Sequence, residues 1–584
     1  MASASVTSVT SIRAELTLNG GTFTALTVLK FRYEEELGQP FAIEIELQVT
    51  DEDTFKKLSP ARVVGRNLVV TISGETDEPI RHFHAIMETF VAVDNHGAFN
   101  RYRGTAVPWY SLLKLAENSQ IYPGTDAKTL LEKVYADFKF PPQTFGLSIP
   151  DGLTVSPWTT RTQYCETYFQ FLQRSLQQEG LYYYWTHTSD QHVMNTTDGS
   201  DTPPSFIGEN QRDYGKIDYL PSAGGNATDE SIYEWSHEAA VQPQNFRLDD
   251  YNYGDSEKDS AQEIKSDLSG DFKSDSPFDK LEVFRHPGQN SKDNNNTKLH
   301  LNHLMQAFTC RQEFVRGKAV CVGLTAGHLF SPVWRTHINP YLSIKYFLPT
   351  KTILTLDWTN SSLPPKFECE FIAIPWDTNK RKYRPIYDAT EPRIFGVQSA
   401  VVCAAESVKS EESSDNGQSS PPHPIPPIYC DYGKNDKDDK SGPYGRVKVK
   451  FHWCRGENER TDWIRLTHLM AGNGWGEFHL PRPGDEVLVA FEHGDPDRPV
   501  IVGCLYNDKH AIPFHLDHED NGANLKKLFA IKDPGGNLFI MDPGEGTTTE
   551  PSTQTISLRS PGTKHPSLVQ IGHNAAKSPG IPEH

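Results

Sequence analysis

No run of about 18 apolar residues occurs in this 584-residue chain, so it contains no candidate membrane-spanning helix. Its start, MASASVTSVTSIRAEL, has neither the basic beginning nor the apolar core of a secretory signal. The expectation is synthesis in the cytoplasm with no exit by the general secretory route. Cysteine is scarce: the 8 residues Cys165, Cys310, Cys321, Cys369, Cys403, Cys430, Cys454 and Cys504 are scattered with no C-x-x-C pair. They read as reduced thiols, and the sequon at Asn195 then carries no weight. Positive charge is in deficit, 57 Lys and Arg against 76 Asp and Glu for a net of -19. That balance argues against a protein that holds nucleic acid through its overall field. No G-x-S-x-G elbow and no H-E-x-x-H helix occurs, so hydrolase motifs of known mechanism are missing.

What is present is mostly strand. Residues 13 to 31, RAELTLNGGTFTALTVLKF, are two alternating runs around Asn19-Gly20-Gly21, residues that accept the positive φ of a hairpin. FAIEIELQV (41–49), RNLVVTIS (66–73) and RHFHAIMETFVAV (81–93) continue the β reading. Two helices interrupt it. Thr125 or Asp126 can cap AKTLLEKVYADF, with Leu130, Leu131, Val134 and Phe138 on one face, and YCETYFQFLQRSLQQEG closes at Gly180 before LYYYW resumes as strand. From about 186 to 300 the chain is polar, but its recurring aromatics predict an irregular β domain with long loops. Residues 298–308 read as helix, and YLSIKYFL, KTILTLDW and PRIFGVQSAVV as strands. The Pro, Ser and charge content of residues 405–443 reads as a linker.

Beyond it, YGRVKVKFHW alternates as a half-buried strand. Pro483-Gly484 fits a type II turn feeding EVLVAF. HGDPDRP makes the next corner, with Asp495 able to bond the turn backbone and Arg498 held extended by Pro499, before VIVGCLY. Strands and tight corners this close together make a small closed barrel. In the tail, Asp533-Pro534-Gly535, Asp542-Pro543-Gly544, Ser560-Pro561-Gly562 and Ser578-Pro579-Gly580 start 9, 18 and 18 residues apart around NLFIMD, TISLRS and LVQIG. Such short strands need neighbours, and intertwining with identical chains is the simplest supply.

YGRVKVKFHW, DWIRLTHLMAGNGWGEFHLPRPGDEVLVAFEHGDPDRPVIVGCLYN and KDPGGNLFIMD closely resemble the VgrG spike proteins of type VI secretion systems and the related hub-spike proteins of contractile phage tails. FHAIMETF, YRGTAVPWYSLLKLAENSQIY and YFQFLQRSLQQEGLYYYW look like that family's N-terminal hub. The resemblance implies a mainly β homotrimer. Hub β-barrel domains with a helical insertion span 1–404, the linker 405–443, an OB-fold barrel 444–507 and a short intertwined β-helix needle 508–584. It implies a non-enzymatic part without cofactor, seated on an Hcp-like tube protein, carrying a PAAR-type tip protein or effector, driven through a target membrane and secreted through the apparatus itself. Tyr444, Gly445, Gly474, Trp475, Gly476, Pro481, Arg482, Gly484, Asp485, Glu486, Val487, Asp495, Asp497, Arg498 and Pro499 match the family signature as fold and corner residues, not catalysts. Two alternatives stand beside this: a phage-tail or extracellular contractile particle, and an evolved spike with an effector activity in residues 190–300 or the C-terminus.

Ligand chemistry was weighed residue by residue. His300 and His303, one helical turn apart with Cys310 beyond, His515 and His518 beside Asp517, and His82 with His84 each have a spacing that could ligate zinc, but each reads more simply as structural. The acids between 249 and 280 read as a solvated loop. Lys448, Lys450, Arg455, Trp453 and Trp463 are the ingredients with which an OB fold binds single strands, but the net charge opposes that use.

Overall fold

A computed structural model of the chain describes residues 11–572 except 19–20, 50, 52–53, 55–56, 75–77, 94–99, 141–144, 149–159, 200–202, 206–212, 222–229, 252, 254–261, 266–279, 289–293, 335–343, 360–365, 377–381, 405–443, 457–458, 514–527, 544–553 and 562–566. The chain divides into two compact units, Met1–Pro392 and Arg393–His584. The alternation at the start of the first becomes a barrel. Strands β1 (Ser11–Leu18), β2 (Gly21–Glu36), β3 (Ala42–Val49), β4 (Asn67–Ser73), β5 (Pro79–Val93) and β6 (Asn100–Val107) run in the order β1-β4-β5-β6-β3-β2, and β1 pairs with β2 to close the ring. Closure leaves no edge strand, and alternate residues such as Leu16, Tyr33, Ile43, Leu47, Val70, Ile72, Phe83 and Ala85 fill the interior.

Strand β2 is long enough to serve two sheets. Its first half pairs with β1, and its second half, from Lys30 to Glu36, pairs with Tyr346–Asp357. A second sheet continues from there through Lys366–Trp376, Glu313–Val320, Ser231–Ala239, Lys216–Tyr219 and Ser331–Trp334. The polar stretch between 190 and 300 thus contributes strands, and Phe246 and Leu248 within it pack on Leu301 and Leu304 of the helix Asn294–Thr309.

Both early helices start where their caps predict. Asp126 Oδ1 accepts the Thr129 N–H at 2.7 Å to open Ala127–Asp137, and Thr167 and Gln170 cap each other reciprocally to open Tyr168–Gln178. The second helix buries an ion pair. Arg174 Nη2 lies 2.6 Å from Glu166 Oε1, Nε donates to both carboxylate oxygens, and Nη2 also reaches the Thr162 carbonyl at 2.7 Å.

A histidine chain is buried beside the barrel. Trp109 N–H donates to His192 Nε2 at 3.0 Å, so His192 carries its proton on Nδ1 and gives it to His84 Nδ1 at 2.9 Å. His84 N–H donates to His187 Nδ1, whose Nε2 stands 3.0 Å from Tyr33 Oη, and that hydroxyl donates to Glu35. Burial pushes the His84 and His192 imidazoles down to about 4 and about 3, which keeps both neutral at pH 7.

The second unit corrects one boundary. Gln398–Val402, expected to end the first domain at 404, pairs with Val449–Phe451 on one side and Glu486–Phe491 on the other. Ala400 and Val402 are buried there among Val449, Val487 and Val489, and that burial fixes the strand's membership. Residues 405–443 lie outside the described residues. The described strands that flank them, Gln398–Val402 and Val449–Phe451, are neighbours in one barrel. The barrel order is Val449–Phe451, Gln398–Val402, Glu486–Phe491, Pro499–Leu505, Arg465–Leu466, and a bridge between Val447 and Ile464 joins its two ends.

The tail brings a second correction. Its strands, expected to lack partners within the chain, form an antiparallel meander of Phe529–Lys532, Leu538–Asp542, Thr555–Ser560 and Ser567–Gly572. At the first reversal Gly536 N–H donates to the Asp533 carbonyl at 3.0 Å and Asp533 Oδ1 accepts Asn537 N–H at 2.7 Å. A nine-residue spacing suits a strand plus a turn as well as it suits a helical repeat. The register nevertheless stacks apolar side chains on one face: Phe529, Met541, Ile556 and Ile571 in one row, Ile531, Phe539, Leu558 and Val569 in the next. Phe539 is half-buried and the other seven are 42–68% exposed.

Candidate functional site

The signature residues collect at the corners of the second-unit barrel. Pro483 and Gly484 occupy the middle of a turn in which Asp485 N–H reaches the Arg482 carbonyl at 2.9 Å and Asp485 Oδ2 accepts Arg482 N–H at 2.8 Å. Gly484 has φ +97°, a conformation other residues adopt only under strain. The turn also extends the sheet, since Gly484 N–H donates to the Val402 carbonyl and Val402 N–H to that of Asp485. Pro481 and Val487 are buried on either side, and Glu486 accepts from Asn507 Nδ2 at 2.8 Å.

At the next corner Asp495 Oδ1 accepts Asp497 N–H at 2.9 Å, Asp495 N–H reaches the Glu492 carbonyl and Arg498 N–H the Asp495 carbonyl. The Arg498 guanidinium lies 3.7 Å from Asp495 Oδ2, and Pro499, buried, opens the following strand opposite Phe491. Asp485 and Asp495 are thus occupied in holding turns, a structural use of carboxylates.

Between these corners a small hairpin pairs Ala471 with Gly476 and Gly472 with Trp475, with Gly474 at its tip. Gly476 has φ +143°, and a Cβ there would lie 2.3 Å from the Met470 carbonyl oxygen, so only glycine fits. The hairpin and its stem expose Leu469, Met470, Trp475 and Phe478. Gly445 packs under Phe478, and Tyr444 faces the Arg446 guanidinium at 5.5 Å.

The metal spacings read from sequence do not assemble among the described residues. Cys310 donates its thiol to the Ala307 and Arg384 carbonyls, His300 faces Glu179 at 3.5 Å, and His82 bonds Thr71 while His84 turns to His192. His515, Asp517 and His518 lie outside the described residues. A set the sequence reading missed, His468, Glu477 and His479, does converge at the hairpin base. Its signal was present in the alternation of Glu477 and His479 along an extended run, but His468 is brought to them only by the hairpin's reversal.

Residues 34–340 match the phage tail baseplate hub family, more than half of the chain, and residues 434–506 match the type VI secretion system/phage-baseplate injector OB domain. The chain belongs to the phage tail baseplate hub family. As a hub chain it is similar to the type VI secretion system spike proteins VgrG1b and VgrG1a of Pseudomonas aeruginosa. It is 28% identical to them over 515 and 510 residues, 86% of this chain in each case and 61% and 70% of theirs. It spans about six-tenths of the length of the first of these relatives. The actin cross-linking toxin VgrG1 of Vibrio cholerae is 24% identical over 87% of this chain and 41% of its own length. The fold is shared with an Escherichia coli component of the type VI secretion system described as similar to the T4 bacteriophage tail proteins gp27 and gp5, with a TM-score of 0.54, 18% identity and coverage of 84% of this chain and 99% of that one.

Within this hub protein's OB barrel the features that suggested single-strand binding are engaged internally. Trp453 stacks on Phe451 at 5.1 Å and 6°, and its Nε1–H donates to Gln398. Lys448 lies over the Trp463 ring and 3.8 Å from Asp462, and Lys450 donates to the Gly456 carbonyl. Of the five candidates, Arg455 is the exposed cation. Among the described residues no helix is long and apolar enough to cross a membrane.

Proposed function

We propose that the chain is the hub and spike of a contractile injection machine of the type VI kind, working as a homotrimer and as a mechanical part. In this reading the first unit seats on an Hcp-like tube, the OB barrel braces the shaft, and the tail sheets form the needle that receives a PAAR-type tip or an effector. Sheath contraction then drives the assembly through a target membrane and out of the producing cell. The signature corners are tight turns that keep the barrel stiff under load.

The observation that carries the proposal is the uncovered apolar face of the tail sheet. Eight large side chains in two registered rows on an exposed sheet are expensive in water. Three copies about a threefold axis cover them by turning the same face inward, a closed symmetric solution in which no chain is left with a bare face. The test is absolute mass by light scattering, on the full chain and on a chain ending at Asn507. A mass near three times 65.7 kDa that falls on truncation supports the reading; a stable full-length monomer at micromolar concentration overturns it.

A further inference from the structure

His468 precedes the exposed hairpin and Glu477 and His479 follow it, so the reversal at Gly474 draws all three side chains to one place. One ligand atom from each lies within 4.8 Å of the other two. Glu477 Oε1 stands 2.5 Å from His479 Nδ1, and Oε2 3.8 Å from His468 Nδ1. A tetrahedral zinc ion with bonds of about 2.0–2.1 Å holds neighbouring ligand atoms about 3.3 Å apart; the two histidine approaches, each to a different oxygen of Glu477, lie on either side of that value.

The three groups are poised for such an ion. His468 Nδ1 is buried and makes no hydrogen bond, which leaves a lone pair or a proton out of water without compensation. The carboxylate is fixed in place, since Glu477 Oε2 accepts Leu469 N–H at 3.1 Å and Glu477 N–H donates to the Met470 carbonyl at 3.0 Å. The His468 ring lies against Phe478 at 5.6 Å and 31°, and 5.6 Å from the His479 ring at nearly a right angle, so the two imidazoles do not stack face to face.

We propose that His468, Glu477 and His479 bind one divalent transition cation of the zinc class, with water completing the coordination. On binding, the His479 proton that faces Glu477 moves to Nε2, and the freed Nδ1 lone pair joins that of His468 and one carboxylate oxygen. The ion staples the base of the hairpin, so Leu469, Met470, Trp475 and Phe478 are presented in one geometry. This site is independent of the spike reading: all three ligands come from one chain, so a monomeric chain would still bind zinc, and loss of zinc binding would leave the trimer reading standing.

The test uses the full chain, with zinc titrated calorimetrically and cobalt(II) as the spectroscopic probe. One zinc per chain at micromolar affinity is expected, with cobalt d–d bands of four-coordinate intensity. H479A and E477Q should each weaken binding by at least the roughly 10–100-fold that loss of an outer-shell partner alone costs. His479 is exposed, so its alanine variant keeps the fold, which circular dichroism checks. Equal stoichiometry and affinity in wild type and H479A, or no saturable binding by the wild type at millimolar zinc, overturns the site.

Discussion

Leu558 sits in the middle of the uncovered tail face, opposite Phe539 on one neighbouring strand and Val569 on the other, and is 53% exposed in a single chain. Aspartate there is a mild change for an isolated chain, about 1 kcal/mol of strand preference with the carboxylate still hydrated. For a trimer closed on this face it is severe. Complete burial of one such side chain is worth about 1.5–3 kcal/mol, so seven that are about half exposed have about 5–10 kcal/mol per chain left to gain. Three chains together gain about 15–30 kcal/mol, set against association costs of about 4–15 kcal/mol for each step. The margin is modest. Leu558→Asp removes about 1 kcal/mol of burial per chain and brings three like charges to one axis, at several kcal/mol each for desolvation. A loss of about 10 kcal/mol shifts the equilibrium by about seven orders of magnitude. Light scattering at micromolar concentration should therefore read three times 65.7 kDa for the wild type and one chain's mass for the variant. Leu568→Asp is the control, because Leu568 is equally exposed but pairs with Arg559 in the opposite register, and it should remain trimeric. A Leu558→Asp protein with the wild-type mass and thermal transition would refute the reasoning.

Gly484→Val places a β-branched residue at φ +97° where a Cβ would meet nothing closer than His510 at 3.6 Å. The cost is backbone strain of about 1–3 kcal/mol, read as a lowered melting temperature, and an unchanged transition would sink the turn assignment. Glu166→Gln leaves the Arg174 guanidinium buried without its counter-charge and should cost about 3–5 kcal/mol in urea unfolding; a loss below about 1 kcal/mol would mean that water reaches the site. The buried histidines set an acid limit on stability. With folded values of about 4 for His84 and about 3 for His192 against 6.5 unfolded, the unfolded chain takes up protons that the folded chain refuses below pH 6.5. Stability therefore falls as pH falls from 6.5 towards 4, by about 1.4 kcal/mol per unit for each histidine. His192→Asn should flatten the slope, and wild-type stability equal at pH 7 and pH 5 would contradict the assignment.

Local chemistry was legible in the sequence wherever one short stretch contained the whole cause. The cap at Asp126, the reciprocal cap of Thr167 and Gln170, and the turn at Pro483-Gly484 each depend on residues a few positions apart, as does the alternation that makes the first strands half-buried. The match of hub and OB signature strings named the family for the same reason, since corner residues are constrained where they stand. Partner choice was not legible. Gln398–Val402 reads as well for either domain, and only burial of Ala400 and Val402 among strands nearly fifty and ninety residues later assigns it to the barrel. Short strands at multiples of nine satisfy a meander and an intertwined needle alike, because backbone pairing is indifferent to which chain supplies the partner. His468 and His479 became neighbours only when a hairpin between them closed. Sequence alone determined the β character, the turns and the charge; tertiary structure decided which strands share a sheet, which apolar face stays bare and which ligands meet, because those outcomes depend on free energy summed over contacts far apart in the chain.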